Sequence, residues 1–184
     1  MIAKETYRLL RSVVGPWFKQ NDFKVAKSSY LTYQKPVAGP GFFIVRFQCH
    51  YHGWEKYKGS SFTVLVQLGP QAALEERIAN RLTAHLSLPE LELVRARQNR
   101  VLRAIPPPPP EYVNDIVAGF GKSFKDPRPY IERFLEDWRP VAAPYSAGDD
   151  IWFRYFSEDD VRSWAILLLN HLRALHERWL AHGM

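Results

Sequence analysis

Alternating apolar and polar residues between Gly41 and Gly69 predict a β-hairpin. From Phe43 to Tyr51 every odd position is apolar, and the even positions become polar from Arg46 onward. The apolar face of the second arm consists of Phe62, Val64, Val66 and Leu68. Because side chains two residues apart share one face of a strand, we expect one face of the hairpin to be buried and the other to be mixed.

Apolar residues at helical spacing predict helices before and after the hairpin. The predicted segments are residues 3–20, 73–86, 89–105, 112–120 and 129–138, and a final helix that begins after Ser157. Pro16 predicts either a kink near Gly15 or the start of a second short helix. Ser157 is expected to cap the final helix, whose apolar stripe from Val161 to Trp179 should lie across the apolar face of the hairpin.

Short β-rich segments predict further strands at residues 23–26, 30–35 and 151–156. The prolines from Pro106 to Pro110 predict a rigid polyproline spacer, with an SH3-type ligand as the alternative. Together these patterns predict a single α+β domain over residues 1–184. Its antiparallel sheet is expected to have about four or five strands, with helices packed on one face.

The composition favours a folded protein over a disordered one, with 46% apolar and 14% aromatic residues. Cys49 is the single cysteine, so an intramolecular disulfide cannot form, and its place on the apolar face predicts a buried thiol. Charged residues interrupt any signal-peptide core near the N-terminus, and the longest aliphatic run, Ala165 to Leu169, is too short to span a bilayer. We therefore expect a cytoplasmic protein without a membrane partner.

The formal net charge of +6 makes a nucleic-acid-binding domain the alternative hypothesis. A candidate basic patch on the helix at residues 89–105 consists of Arg95, Arg97, Arg100 and Arg103. The patch has two interpretations, a phosphate-binding surface or a solvated helix face, and the few aromatic residues nearby favour the solvated face. The positive charge is also spread along the chain and interrupted by 19 acidic residues, which favours other functions over nucleic-acid binding.

Three stretches resemble a bacterial family catalogued as domain of unknown function 4304. They are LLRSVVGPWFKQNDF, the Phe47 and Gln48 pair, and FTVLVQLG at Phe62 to Gly69, and they fall in roughly the first third of the chain. Asp22 stands where the family usually has glycine, and Val66 and Gln67 lengthen the last motif. The resemblance implies an α+β fold, no assigned activity and no catalytic residues.

The mixed face of the hairpin is the main candidate binding surface. Its polar residues are Arg46, Gln48, His50, Thr63 and Gln67, with Thr32 and Gln34 beside them. This set can hydrogen-bond an anionic or polar partner, but antiparallel sheets also commonly have an ordinary solvated face. In the loop, Trp54 and Tyr57 either fold back onto the sheet or anchor a partner.

Catalytic and metal-binding motifs are weak in this chain. His50 and His52 share a strand face and can bind a metal together, but two ligands do not complete a site, so we predict no metal and no cofactor. The segment Gly119 to Ser123 (GFGKS) has Ile116 where a phosphate-binding loop of the Walker A type requires glycine. No nucleophile elbow is present, and no pair of carboxylates stands out for acid–base work.

The leading hypothesis is therefore a noncatalytic binding protein with a protein partner, and within that class a bacterial immunity protein that neutralises a toxin. The alternatives are the basic nucleic-acid-binding domain and an enzyme that uses the sheet face around His50 and His52.

Overall fold

The structure is a computed structural model that describes residues 2–37, 41–51, 53–75, 79–136 and 139–182, without the side chain of residue 182. Within these ranges the chain forms five α-helices and a six-stranded antiparallel sheet, which confirms the predicted α+β fold. None of the helices in the described ranges combines the length and the apolar character that crossing a membrane requires.

The sheet is built around the predicted hairpin. Its strands are β1 (Lys24–Val25), β2 (Leu31–Val37), β3 (Gly41–Cys49), β4 (Ser60–Gly69), β5 (Asn80–Arg81) and β6 (Phe153–Tyr155). They lie in the order β1-β2-β3-β4-β5, and β6 also pairs with β4. Phe62 is paired with Cys49 of β3 and with Phe153 of β6, so β6 lies on the edge of β4 that faces away from β3. β5 pairs farther along the same edge, through Leu65 and Val66.

The helices agree with most of the predicted segments. They are α1 (Ala3–Gln20), α2 (Leu88–Ala104), α3 (Pro110–Ser123), α4 (Arg128–Glu136) and α5 (Glu158–His182). α1 runs through Pro16 as one helix, so of the two outcomes predicted for Pro16, a kink or a second short helix, the second short helix is wrong. Proline removes one amide donor, but burial of Leu10, Val14 and Phe18 on both sides of it stabilises a continuous helix. Pro110 belongs to α3, so the non-helical proline run ends at Pro109.

The main core lies between the sheet and the two terminal helices. The odd-numbered residues from Phe43 to Cys49 are buried there, together with Phe62, Val64 and Val66. α5 contributes the predicted stripe, in which Val161, Trp164 and Leu168 have no exposed surface. Ser157 accepts a hydrogen bond from the Asp160 amide (3.2 Å) at the start of α5, as a helix cap does. The thiol of Cys49 is buried as predicted, and burial raises its pKa to about 11.

Two local predictions are wrong. Residues 73–86 do not form one helix, because Asn80 and Arg81 pair with β4 and residues 82–85 form a 3₁₀-helix. The apolar spacing in this segment predicts burial correctly, since Leu74, Leu82 and Leu86 are buried, but it does not predict the backbone conformation. Ile78 of this segment and Trp138 of the predicted helix at residues 129–138 lie outside the described residues. Tyr51 is 85% exposed because β3 ends at Cys49.

The second face of the sheet is partly covered rather than solvated. A small apolar cluster of Ile44, Leu65 and Leu74 lies on it. Thr32, Thr63 and Gln67 on this face are at most 3% exposed. Two segments provide this coverage, one that follows β4 and one that precedes β6. They leave the end of the hairpin uncovered, and His50 lies in the resulting opening.

Candidate functional site

A cleft of about 600 Å³ lies between the end of the β3–β4 hairpin and the helices α3 and α4. We call it the aromatic cleft. Its lining residues are His50, Tyr51, Gly53, Glu55, Lys58, Gly59, Ser60, Ser61, Phe120, Tyr130, Arg133, Phe134, Asp150, Trp152 and Arg154. Sheet pairing explains why residues distant in sequence meet here. The His50 amide donates to the Ser61 carbonyl (2.8 Å), and Ser61 is paired with Arg154 of β6.

A row of rings lines the aromatic cleft. The His50 ring stacks on Tyr51, with centroids 4.7 Å apart, and meets Trp152 edge to face at 5.0 Å. The guanidinium of Arg81 in β5 lies 5.0 Å from the centroid of the ring of Trp152, which directly precedes β6. Aromatic and guanidinium groups packed in this way form a rigid surface with large contact area.

Two carboxylates border the aromatic cleft, and both accept hydrogen bonds from neighbouring side chains. Asp150 accepts from the Arg81 Nε at 2.8 Å and from the Trp152 Nε1 at 3.2 Å. Glu55 accepts from the Tyr112 hydroxyl of α3 at 2.9 Å. Burial and this hydrogen bond raise the pKa of Tyr112 to about 12, so the phenol stays protonated. Both carboxylates thus accept hydrogen bonds within the wall, Asp150 from a charged guanidinium and Glu55 from a neutral phenol.

The basic groups of the lining come from three different elements. Lys58 lies in the hairpin loop, Arg133 in α4 and Arg154 in β6. The lining therefore has three basic residues against two acidic ones, apart from His50. A positive, aromatic cleft favours a ligand that combines negative charge with apolar surface.

Buried polar side chains fix the wall that carries Trp152 and Arg154. Gln98 of α2 is 5% exposed; its Nε2 donates to the Trp152 carbonyl (3.1 Å), and its Oε1 accepts from the Arg154 amide (3.0 Å). The Trp164 indole of α5 donates to the Arg154 carbonyl at 2.7 Å. One amide side chain thus holds the backbone on both sides of Phe153, so this wall is positioned before any partner binds.

The predicted polar sheet residues have different environments. His50 lines the aromatic cleft, and Gln48 is paired with Thr63 on the same face. Thr63 donates to the Ile151 carbonyl at 3.3 Å. Gln67 accepts from the Glu75 amide at 2.7 Å and donates to the Ala73 carbonyl at 3.4 Å, so it anchors the segment after β4. Thr63 and Gln67 therefore have structural partners that explain their burial.

The remaining predicted residues of this set are divided among other places. The Arg46 guanidinium lies over the Tyr30 ring, 5.0 Å from its centroid. Trp54 folds back, since its indole donates to the Phe156 carbonyl at 3.1 Å, and the Tyr57 ring lies 5.0 Å from that of Tyr112. His52 lies outside the described residues. Among the residues that are described, no three His, Cys, Asp or Glu side chains gather in a group that could hold a metal ion.

The four arginines of the predicted basic patch do not form one surface. Arg95 pairs with Glu92 at 2.6 Å and donates to the carbonyls of Val141 and Ala142, at 3.3 and 2.9 Å. Arg97 and Arg100 border a recess of about 250 Å³ that also contains Asp159 and Asp160. Arg103 is exposed on the last turn of α2. Asp159 and Asp160 at the start of α5 thus lie close to Arg97 and Arg100. The sequence of α2 itself shows no acidic residue near these two arginines.

Sequence reasoning missed Asp150, Trp152, Arg154 and the α4 residues of the aromatic cleft. Period-two alternation within residues 151–156 contained part of the signal, because it places Trp152 and Arg154 opposite the buried Phe153. The local pattern gave no indication that this strand pairs with residues 60–62.

Comparison of the chain with models of known protein families, with curated proteins and with solved structures finds no match. The aromatic cleft is therefore interpreted from its own residues, and the resemblance to domain of unknown function 4304 stays a hypothesis based on sequence motifs.

Proposed function

We propose that the protein is a noncatalytic binding protein that holds a protein partner at the aromatic cleft. The observation that carries this proposal is the row of rings formed by His50, Tyr51 and Trp152, bordered by basic groups and by carboxylates that already accept hydrogen bonds. Tryptophan, tyrosine and arginine dominate the energetics of protein interfaces because they bury large areas with few rotatable bonds.

The rim of the aromatic cleft favours a protein segment over a small molecule. Tyr51 is 85% exposed and Tyr130 is 46% exposed, so aromatic surface continues outside the cleft itself. Large exposed rings beside a concave site are typical of interaction surfaces. The partner segment that fits is an acidic side chain flanked by apolar or aromatic residues, since the lining has more basic than acidic groups.

In its most specific form, the proposal is that the partner is a bacterial toxin and the chain its immunity protein. This form explains how a small chain can act through a rigid surface alone, because masking a toxin requires affinity and no chemistry.

The test is a binding experiment with the proteins encoded beside this gene. Each is co-expressed with the chain, scored for relief of growth inhibition, and measured by calorimetry when it co-purifies. We expect Tyr51→Ala combined with Arg133→Glu to weaken binding by roughly thirtyfold or more, because interface hot spots contribute about 2 kcal/mol or more.

The matched control is Leu93→Ala combined with Arg103→Glu on α2, where both side chains are exposed outside the aromatic cleft. It should bind within about threefold of the unchanged protein, as distant surface substitutions usually do. Equal affinity for the cleft variant and the unchanged protein would rule out the cleft. If no neighbouring gene product binds or is neutralised, the immunity form of the proposal is wrong.

A further inference from the structure

The entire net charge of the chain is concentrated at one end of the sequence. Residues 1–54 contain eight lysine and arginine residues against two acidic ones, which equals the whole net charge of +6. Residues 55–184 contain 17 basic and 17 acidic residues. The basic residues of the first part are Lys4, Arg8, Arg11, Lys19, Lys24, Lys27, Lys35 and Arg46. A charge asymmetry of this kind is typical of a chain with an anionic partner.

Half of a groove of about 840 Å³ is formed by the basic face of α1. Lys4, Arg8 and Arg11 line it and are all exposed. Their spacing of four and three residues places them in one row along the helix. Successive turns of α1 thus present positive charges along the length of the groove.

The opposite wall of the groove is the turn before β2. Ser28 and Ser29 contribute exposed hydroxyl groups, and Lys27 directly precedes them. Glu5 is the acidic residue among the lining groups, and its carboxylate accepts a hydrogen bond from the Ile2 amide at 2.9 Å. The row of basic side chains therefore faces serine hydroxyl groups across the groove, and Glu5 lies on the same helix as the row, where it caps the N-terminus.

Two tyrosines line the groove beside the positive charges. Tyr30 is half-buried, and the guanidinium of Arg46 lies over its ring at 5.0 Å from the centroid. The hydroxyl of Tyr7 accepts a hydrogen bond from the Cys49 amide at 3.1 Å, and burial raises its pKa, so it adds no negative charge. Basic groups interleaved with aromatic rings are the combination with which proteins bind single-stranded nucleic acid.

We propose that this groove binds single-stranded nucleic acid, with Lys4, Arg8 and Arg11 contacting phosphates and the Tyr30 ring contacting a base. A membrane surface fits less well, because Ile2 is the one large exposed apolar residue among the described lining groups. The groove shares no lining residue with the aromatic cleft, so the inference does not depend on the proposed function.

The test is fluorescence anisotropy with a labelled, mixed-sequence 12-nucleotide DNA or RNA strand and its duplex. About three phosphate contacts on a single strand correspond to a salt slope of roughly −2, so raising the salt from 50 to 200 mM should weaken binding about twentyfold. Lys4→Glu with Arg8→Glu should weaken binding at least about tenfold, and Tyr30→Ala about tenfold through lost stacking. Thermal melting verifies that each variant is folded.

The charge-matched control is Arg100→Glu with Arg103→Glu, which changes the net charge equally on α2 and should reduce affinity by about threefold or less. Equal losses in the two double variants would overturn the proposal, since they would indicate binding to net charge alone. So would the absence of binding at 50 mM salt, duplex binding as tight as single-strand binding, or tighter binding to vesicles of anionic phospholipid.

Discussion

His176 shows how a single buried ring connects the core to pH. It is 4% exposed and packs against the rings of Trp17, Phe23 and Phe43, with centroids 5.5 to 5.6 Å away. Its Nε2 is buried without a hydrogen-bond partner among the described residues. Burial lowers its pKa, the nearby charge of Lys35 lowers it further, and Glu177 acts in the opposite direction. The lowered pKa favours the neutral imidazole in the folded protein at neutral pH.

A lowered folded-state pKa implies a stability contribution that is complete above the unfolded pKa of about 6.5 and is lost as the pH falls below it. We expect the unfolding free energy, measured by urea titration, to decrease between pH 7 and pH 5. His176→Phe should make that decrease shallower and leave stability at pH 8 within about 1 kcal/mol, because it keeps a ring in the core and removes an unsatisfied polar atom.

The remaining pH dependence of that variant should come partly from His85, whose pKa is also lowered, first by burial and then by Arg178. An unchanged slope between pH 7 and pH 5 in the His176→Phe variant would contradict this role for His176.

Two glycines in the loop of the hairpin have the same backbone conformation but different surroundings, so they separate the cost of backbone strain from the cost of a steric clash. Gly53 and Gly59 both have left-handed φ values, of 73° and 67°. A Cβ at Gly59 would collide with the Tyr155 carbonyl oxygen of β6, whereas a Cβ at Gly53 would meet no heavy atom within 4 Å. The close approach of β6 is therefore what distinguishes the two positions.

Gly53→Ala should cost about 1 kcal/mol of stability, from the left-handed conformation alone. Gly59→Ala should cost roughly 3 kcal/mol or more, because β6 must move away from β4. Chemical denaturation of both variants measures the difference. Equal losses would show that the loop relaxes without disturbing β6.

At the scale of secondary-structure elements, the periodicity of apolar residues predicts those helices and strands that bury one continuous face. The hairpin, α1, α2 and α5 follow from alternation or helical spacing because each buries one continuous face. The identity of β5 depends instead on pairing with β4, a contact that helical spacing over residues 73–86 does not contain.

The aromatic cleft was only partly predictable for the same reason. His50 was identified from its place on the polar side of β3, but Trp152 meets it only because β6 returns to β4. Thr63 and Gln67 were assigned to a candidate binding face because alternation reports which side of a strand a residue lies on. It does not report whether a later segment covers that side, as Ala73 and Ile151 do here.

α2 holds two neighbouring segments through a matched pair of buried amides. Gln98 bonds the backbone of Trp152 and Arg154, and Asn99 bonds both backbone groups of Val141, at 2.6 and 3.0 Å. Each side chain thus satisfies one backbone donor and one backbone acceptor, and the Val141 carbonyl also accepts from Arg95.

Gln98→Ala and Asn99→Ala should each cost about 2 kcal/mol of unfolding free energy, because removing one partner leaves buried polar groups unsatisfied. Only Gln98→Ala should speed hydrogen exchange at the Arg154 amide, which is the group it binds. If the Arg154 amide exchanged at the same rate in both variants, Gln98 would not be the residue that positions this wall of the aromatic cleft.

At the scale of the whole molecule, the two proposed sites can be tested separately. The aromatic cleft belongs largely to the electrically balanced part of the chain, and the groove belongs to the first 54 residues, which carry the net charge. Substitutions at distant sites without shared partners have nearly additive effects. A variant of the cleft should therefore change nucleic-acid affinity by no more than about threefold, and a variant of the groove should change partner affinity by no more than about threefold.

The pairing of β6 with β4 also determines when the protein can fold during its synthesis. Ser60 is paired with Tyr155, and the Thr6 hydroxyl lies 3.0 Å from that of Tyr155, across a separation of 149 positions. Contacts between such distant positions form late and slow folding. Until the ribosome has released the last quarter of the chain, part of the outer edge of β4 and the apolar face that α5 covers remain exposed. We therefore expect these two surfaces to be the sites where the nascent protein is most prone to aggregate.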